Sequence, residues 1–213
     1  MTDEKHSEVS HDRQDFLHGQ LLVAMPNLRD GCFRESVVLI CSHDEHHAMG
    51  LILNKTISDL TFSDLLLQVK LKPSDDIDDR PIHFGGPVDT KRGAVLHTDD
   101  YRHEDTIDIV PGVCLTASRE ILEDLNEPDG RMLAGRNAPS RALICAGHAG
   151  WSAGQLEHEL AQNAWLNIPG DPALIFADDP DTVWEQALAR FGIDKSMFSQ
   201  AWSEMRSPDT PLN

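Results

Sequence analysis

Apolar residues along this chain come in short runs, and the spacing inside each run separates strands from helices. "GQLLVAMP" (19–26) predicts a strand that stops at Pro26. "FRESVVLICSH" (33–43) sets Val37, Leu39 and Cys41 against Val38 and Ile40, so it predicts a strand covered on both faces. "HAMGLILNK" (47–55) predicts another, and the polar link "SHDEHH" between the two predicts a hairpin. Thr61 precedes "FSDLLLQVKL" with Asp64 at the capping-box distance, the signature of a short helix. After an acidic loop (72–80), strands are expected at "PIHFGG" (81–86), "GAVLHT" (93–98) and "TIDIVPGVCLTA" (106–117). Ser118 is placed to cap a helix "REILEDLN", with Pro128, Asp129 and Gly130 at its exit. "RALICAG" reads as a strand and "GQLEHELAQNAWL" (154–166) as a helix. Leu156, Leu160 and Ala164 line one face of that helix, and Asn163 falls near it as a candidate buried amide. "PALIFAD" (172–178) is expected as the last strand, and Asp179-Pro180 opens a final helix that Gly192 closes.

Strands first run consecutively and helices then intersperse. This order predicts an α+β fold, with a mixed sheet and helices packed around it. The pattern predicts one domain over 16–202, between a loose polar leader (1–15) and a polar tail (203–213).

Composition narrows the function classes. Of 213 residues 40% are apolar, enough for a packed core. Thirty-six acids against 18 Lys and Arg give a net charge of −18, which repels nucleic-acid backbones and anionic lipid. The basic candidates Arg131, Arg136 and Arg141 have no interleaved aromatic residue, so direct nucleic-acid binding is not expected. No apolar run approaches the ~20 residues of a membrane span, and the polar N-terminus lacks a signal core. Cys32, Cys41, Cys114 and Cys145 form no C-x-x-C pair; reduced thiols in a cytoplasmic protein are the expectation.

The sharpest chemical signal is Gly150-Trp151-Ser152-Ala153-Gly154, spelled like the nucleophile elbow of a serine hydrolase. An elbow serine needs a histidine base, and the one histidine after it, His158, lies within the following helix. His43, His83, His97 and His148 precede it and would have to approach through space. The competing reading is that Gly147, Gly150 and Gly154 turn the chain from strand to helix. His43, His46 and His47 are metal candidates in a tight turn, but their spacing matches no ligand set. "HELAQ" (158–162) begins like a zinc-protease helix, yet Gln162 replaces the second histidine. Cys145 and His148 suggest a thiol–imidazole pair, but residues three apart on a strand face opposite sides. "FGGPVDTKRG" (84–93) offers Gly85 and Gly86 amides and nearby Lys91 and Arg92 as an anion nest, without a phosphate-loop pattern. Nothing in these motifs calls for a cofactor.

Taken together, "GQLLVAMPNLRDGCFRESVVLICSHDEHHAMGLILNK" (19–55), "HFGGPVDTKRGAVLHT" (83–98) and "AGHAGWSAGQLEHELAQNAWL" (146–166) resemble the YqgE/AlgH family of bacterial proteins in order and spacing. The likeness spans roughly residues 17–193. It implies a single α+β domain with a bent, split β-sheet surrounded by helices, and a role linked to alginate synthesis and transcription. The family pattern does not call for serine at position 152. This chain carries His148 where that pattern has tyrosine, and Thr56 where it has proline after Asn54-Lys55.

The leading expectation is a non-catalytic binding or regulatory protein with an unidentified protein or small-molecule partner. Its candidate surface residues are Asn54, Gly85, Gly86, Pro87, His97, His148, Trp151, Gln155, Glu157 and Trp165. The alternative is a hydrolase that uses Ser152 or a metal at the histidine-rich turn.

Overall fold

The computed structural model describes residues 16–28, 30–127 and 138–193. The expected leader and tail, the Pro128–Gly130 helix exit, and Arg131 and Arg136 lie outside these residues. Three strands build the centre: β1 (Gln20–Ala24), β2 (Val37–His43) and β3 (His47–Ile52). β4 (Thr56–Thr61), α1 (Phe62–Gln68), β5 (Pro81–Phe84) and β6 (Val88–Thr98) follow. Next come β7 (Ile107–Val110), β8 (Val113–Thr116) and α2 (Glu120–Leu125). The chain continues through β9 (Ala142–Ser152), α3 (Gln155–Ala161), β10 (Trp165–Pro169), α4 (Pro172–Ile175) and α5 (Pro180–Ala189).

The alternation in β2 has the physical meaning expected of it, and β1 shares it. Leu21, Val23, Val37, Leu39 and Cys41 enter one core cluster, while Leu22, Ala24, Val38 and Ile40 enter another. The first cluster is closed by α4 and α5 through Leu174, Phe176, Val183, Trp184 and Leu188. The second is closed by α3 and the rings of Trp151 and Trp165. A third core gathers Phe62 of α1, Ile121 of α2 and Tyr101 against Ile82, Val95 and Ile144. The Thr61–Asp64 capping box forms as the spacing predicts, with Asp64 Oδ2 accepting from Thr61 N at 3.1 Å.

The strand order is β10-β1-β2-β3-β9-β6-β8-β7, with β5 pairing β4 and β9. Every pairing is antiparallel except β5 with β9, so the sheet is mixed. β9 organises it. Its start pairs with β5 and β6, and its end pairs with β3. The neighbour changes near Gly147, where the chain crosses Gly86 so closely that a Cβ on Gly147 would lie 2.4 Å from the Gly86 oxygen. Gly147 is also left-handed, with φ of 71°. Only glycine satisfies both conditions without strain.

Five local expectations are corrected. The run 106–117 is a hairpin, β7 and β8, turned at Pro111-Gly112; proline fixes φ and Gly112 supplies φ of 84°. "PALIFAD" is not a strand: Asp171 accepts from Ala173 N at 2.8 Å and Pro172 starts the one-turn α4. The helix expected over 154–166 ends at Ala161, Asn163 turns with φ of 53°, and Trp165 begins β10. Asn163 is exposed, not a buried amide. Ser118 does not cap α2, whose N-cap is Arg119 with no side-chain bond. β4 was not anticipated, because "TISDLT" has too few apolar residues to stand out.

Candidate functional site

The motif that spells an elbow lies where β9 passes into α3. Gly147 and Gly150 sit inside the strand, so they do not make the turn; Ala153-Gly154 makes it, with Gly154 at φ of 72°. Ser152 is the last residue of β9 and is not among the residues with positive φ, unlike the strained serine of an elbow. Its hydroxyl donates to Gln155 Oε1 at 3.1 Å, and its backbone N–H donates to the same oxygen at 3.1 Å. Among the described residues no imidazole hydrogen-bonds the Ser152 hydroxyl. His47 is its register partner on β3, and His47 Nδ1 lies 3.1 Å from Asp44 Oδ1.

One helix turn further, Glu159 ties the corner together. Its Oε2 accepts the indole N–H of Trp151 at 2.9 Å and of Trp165 at 2.8 Å, and its Oε1 accepts from Gln155 Nε2 at 3.0 Å. Both indoles are buried, with ring centroids 6.1 Å apart, and Phe33 stacks on Trp151. Glu157 points elsewhere: its Oε1 lies 2.8 Å from His43 Nε2. Leu17 N–H donates to His43 Nδ1 at 2.9 Å, so the His43 proton sits on Nε2 and is given to Glu157. The corner thus brings Trp151, Ser152, Gln155 and Trp165 together around Glu159, while Glu157 stands apart against His43. Glu159, which organises them, carries no sequence motif; the i to i+4 spacing from Gln155 is its one trace.

This architecture matches known proteins. A family model described as AlgH-like matches residues 21–196. The chain belongs to the AlgH-like family. A UPF0301 protein of Methylocella silvestris is 45% identical over 192 residues, covering 86% of this chain and 89% of the relative. One of Rhodospirillum rubrum is 37% identical over 187 residues, 88% and 93% of the two chains. The solution structure of the AlgH protein from Pseudomonas aeruginosa superposes with a TM-score of 0.70 at 32% identity, over 95% of this chain and 99% of that one. A crystal structure from Corynebacterium diphtheriae shares the fold, with a TM-score of 0.63 at 22% identity over 84% and 90% of the chains. Kinship assigns the fold; the chemistry must be read from the side chains.

In this AlgH-like chain the remaining candidates fall apart into separate places. His97 is fully buried. Its Nδ1 donates to Thr98 O at 2.9 Å, so its Nε2 accepts from the Thr116 hydroxyl at 2.8 Å. Thr116 in turn accepts from Thr106, whose oxygen takes the His103 N–H, a one-way relay that leaves His97 no face for a ligand. Asn54 is a staple: its Oδ1 accepts from Val37 N and its Nδ2 donates to Glu35 O, both at 2.8 Å. It also borders a cleft of about 440 Å³ with Arg34, Lys55 and Asp181. There desolvation lowers the Lys55 pKa, and its Nζ donates to Cys32 O at 2.9 Å. Gly85 and Gly86 are buried in the strand crossing; Gly85 N–H already donates to Ala146 O, so no anion nest forms from it. Pro87, Val88 and His148 lie beside that crossing, Pro87 and Val88 exposed and His148 half-buried opposite Val88 in register.

The turn histidines do not converge. His43 faces Leu17 and Glu157, His46 lies 3.4 Å from Glu45, and His47 faces Asp44. Among the described residues no group of three or more His, Cys, Asp or Glu is arranged to hold a metal. Burial pushes the Cys41 thiol up to about 12 and raises that of Cys145 further, so both stay protonated. Ser118, His103 and Asp105 also meet, but both partners approach His103 Nδ1, and a relay needs the two ring nitrogens. No described helix is long and apolar enough to cross a membrane.

Proposed function

We propose that this AlgH-like chain is a non-catalytic binding protein that presents the outer shelf of β9 to a partner protein. The observation that carries this reading is the hydrogen bond from the Ser152 hydroxyl to Gln155 Oε1. A nucleophile must give its proton to a base; here an amide oxygen, which cannot take it, occupies that position. The corner beneath is braced by Glu159 through Trp151, Trp165 and Gln155, and the shelf of His148, Gly150 and Ser152, flanked by Val88 and His47, is held in a paired strand above it. Rigid contact area costs little entropy on binding. Regulation through such a contact suits a chain of net charge −18 better than direct reading of DNA.

A fluorophosphonate probe tests the reading: the wild-type protein and Ser152→Ala should label equally weakly. Labelling that disappears in Ser152→Ala overturns it in favour of a hydrolase. That second reading has one specific observation behind it, the register of His47 opposite Ser152 with Asp44 on its Nδ1. His47 and Asp44 are both half exposed, and water there competes for every bond a triad needs.

A further inference from the structure

A second cleft, of about 380 Å³, opens beside β5 at the other end of β9, between the start of that strand and the segment leading into α5. Its size is that of a small-molecule pocket, ~300–1,000 Å³. Two guanidinium groups stand at its rim. Arg80 pairs with Asp78, and its Nη1 approaches Ala142 O at 3.5 Å; Arg141 pairs with Asp178. The acidic partners are the more exposed members, with side chains 74% and 91% accessible. Exposed pairs of this kind are weak and exchange readily.

His83 lines the same cleft and is only 5% exposed. Its Nδ1 lies 2.7 Å from Leu53 O. A carbonyl oxygen only accepts, so Nδ1 carries the proton and Nε2 presents a lone pair. Among the described residues nothing hydrogen-bonds Nε2, and no side-chain nitrogen or oxygen there is both sealed from solvent and without a partner. Nε2 therefore keeps some exposure, and the cleft is the opening that His83 lines. Phe176 and Leu143 give it an apolar wall.

We propose that this cleft binds a small phosphate monoester, its anionic oxygens on Arg80 and Arg141 and its P–OH donating to His83 Nε2. The three groups demand different things of one ligand. Two guanidiniums call for an anion with several oxygens. A neutral imidazole lone pair calls for a proton donor, which a phosphate monoester keeps as its monoanion, up to a second pKa of about 6, and which a sulfonate or an ionised carboxylate lacks. The apolar wall calls for the ester's organic group. Desolvation holds the His83 pKa below its usual value, which keeps Nε2 an acceptor. The titratable and charged groups around the ring are Arg80 and Asp78 ahead of β5, Arg141 and Asp178 across the cleft, and the protonated Cys145 thiol opposite it on β9. This site is separate from the β9 shelf and stands whether or not that reading does.

The test is a titration of the full chain at about pH 6, where the monoanion with its P–OH is well populated, followed by ¹⁵N resonances of the histidine rings at ionic strength matched with sodium chloride. Phenyl phosphate should move His83 Nε2 toward the hydrogen-bonded or protonated range, and inorganic phosphate should do so at higher concentration. Benzenesulfonate should leave it in place. Arg80→Gln and Arg141→Gln should each weaken phenyl phosphate by about tenfold, while Asp78→Asn with Asp178→Asn should tighten it by removing the competing carboxylates. His83→Asn keeps a donor for Leu53 O and should fold, yet lose the preference for phosphate over sulfonate. A His83 resonance that responds no more to phenyl phosphate than to sodium chloride overturns the site. Equal binding of sulfonate overturns the role of Nε2, and equal binding of inorganic phosphate overturns the ester.

Discussion

The β9–α3 corner and the cleft beside β5 sit at opposite ends of the same strand and are both polar, but their polar groups have different partners. At the corner, Glu159 takes two buried indole N–H groups and an amide N–H, and Gln155 takes both donors of Ser152. In the cleft, the guanidiniums are matched by carboxylates exposed to water, and one nitrogen of a buried imidazole has no protein partner among the described residues. A motif rich in recognisable letters is tied into a hydrogen-bonded corner. A stretch with no motif holds the exchangeable charge. Satisfied groups stabilise; unsatisfied or weakly paired ones are where a ligand gains most.

The largest way to break the contrast is Glu159→Ala. It strands the Trp151 and Trp165 N–H groups in a buried site, each costing about 1–3 kcal/mol. The total loss should be about 2–5 kcal/mol in denaturant-unfolding free energy, followed by tryptophan fluorescence. Glu159→Gln should lose less, because one oxygen still accepts from the indoles while its amide competes with Gln155. A cost under about 0.5 kcal/mol for Glu159→Ala would mean that the corner is not held by this carboxylate.

The second test uses pH. Burial lowers the pKa of both His83 and His97, the first in the cleft and the second in the core. A histidine depressed in the fold stays neutral while its unfolded counterpart, near 6.5, takes up a proton. The unfolded state then binds more protons, so stability falls as pH falls through 6.5 toward the folded values. His97 carries the firmer share, because protonating Nε2 puts a charge in a fully buried place and forces its bond with the Thr116 hydroxyl to reverse. Unfolding measured from pH 8 to pH 5 should show this slope. His97→Asn should flatten it more than His83→Asn, whose ring already touches solvent. The carboxylates with lowered pKa values, Asp105 and Asp171 among them, act in a separate window below about 3.8.

What could be read from the chain follows from how local its signal is. The two-core alternation of Val37 to Cys41, the Thr61–Asp64 box and the Asp179-Pro180 start are written in neighbouring residues, and all three form. Local rules also explain the misreadings. Pro111-Gly112 is a turn signal lost inside an apolar run, and Asp171-Pro172 repeats the cap of α5 ahead of residues that look like a strand. The site was less legible. Ser152 and Gln155 stand in the sequence as separate candidates, because their bond depends on a turn of two residues. The Gly86–Gly147 crossing and the His83 cleft join segments about sixty residues apart, and no spacing rule reaches that far.

The smallest expected effect sharpens the comparison most. Arg141→Gln, Asp178→Asn and the double variant close a cycle around one rim pair of the cleft. Both side chains face water, Arg141 at 49% and Asp178 at 91% accessibility. Holding two mobile side chains together costs entropy, and solvent screens their attraction, so the coupling should be about 0–1 kcal/mol and shrink further in salt. Glu159 at the corner should differ from this by several-fold, although it too is a carboxylate on the surface of a helix. The distinction lies in what each acid leaves behind. Removing Asp178 returns a guanidinium to water, which solvates it. Removing Glu159 leaves two indole N–H groups of largely buried tryptophans without their acceptor. A coupling well above 1 kcal/mol at Arg141–Asp178 would make that pair structural, and the guanidinium would no longer be free to exchange its carboxylate for a ligand's oxygens.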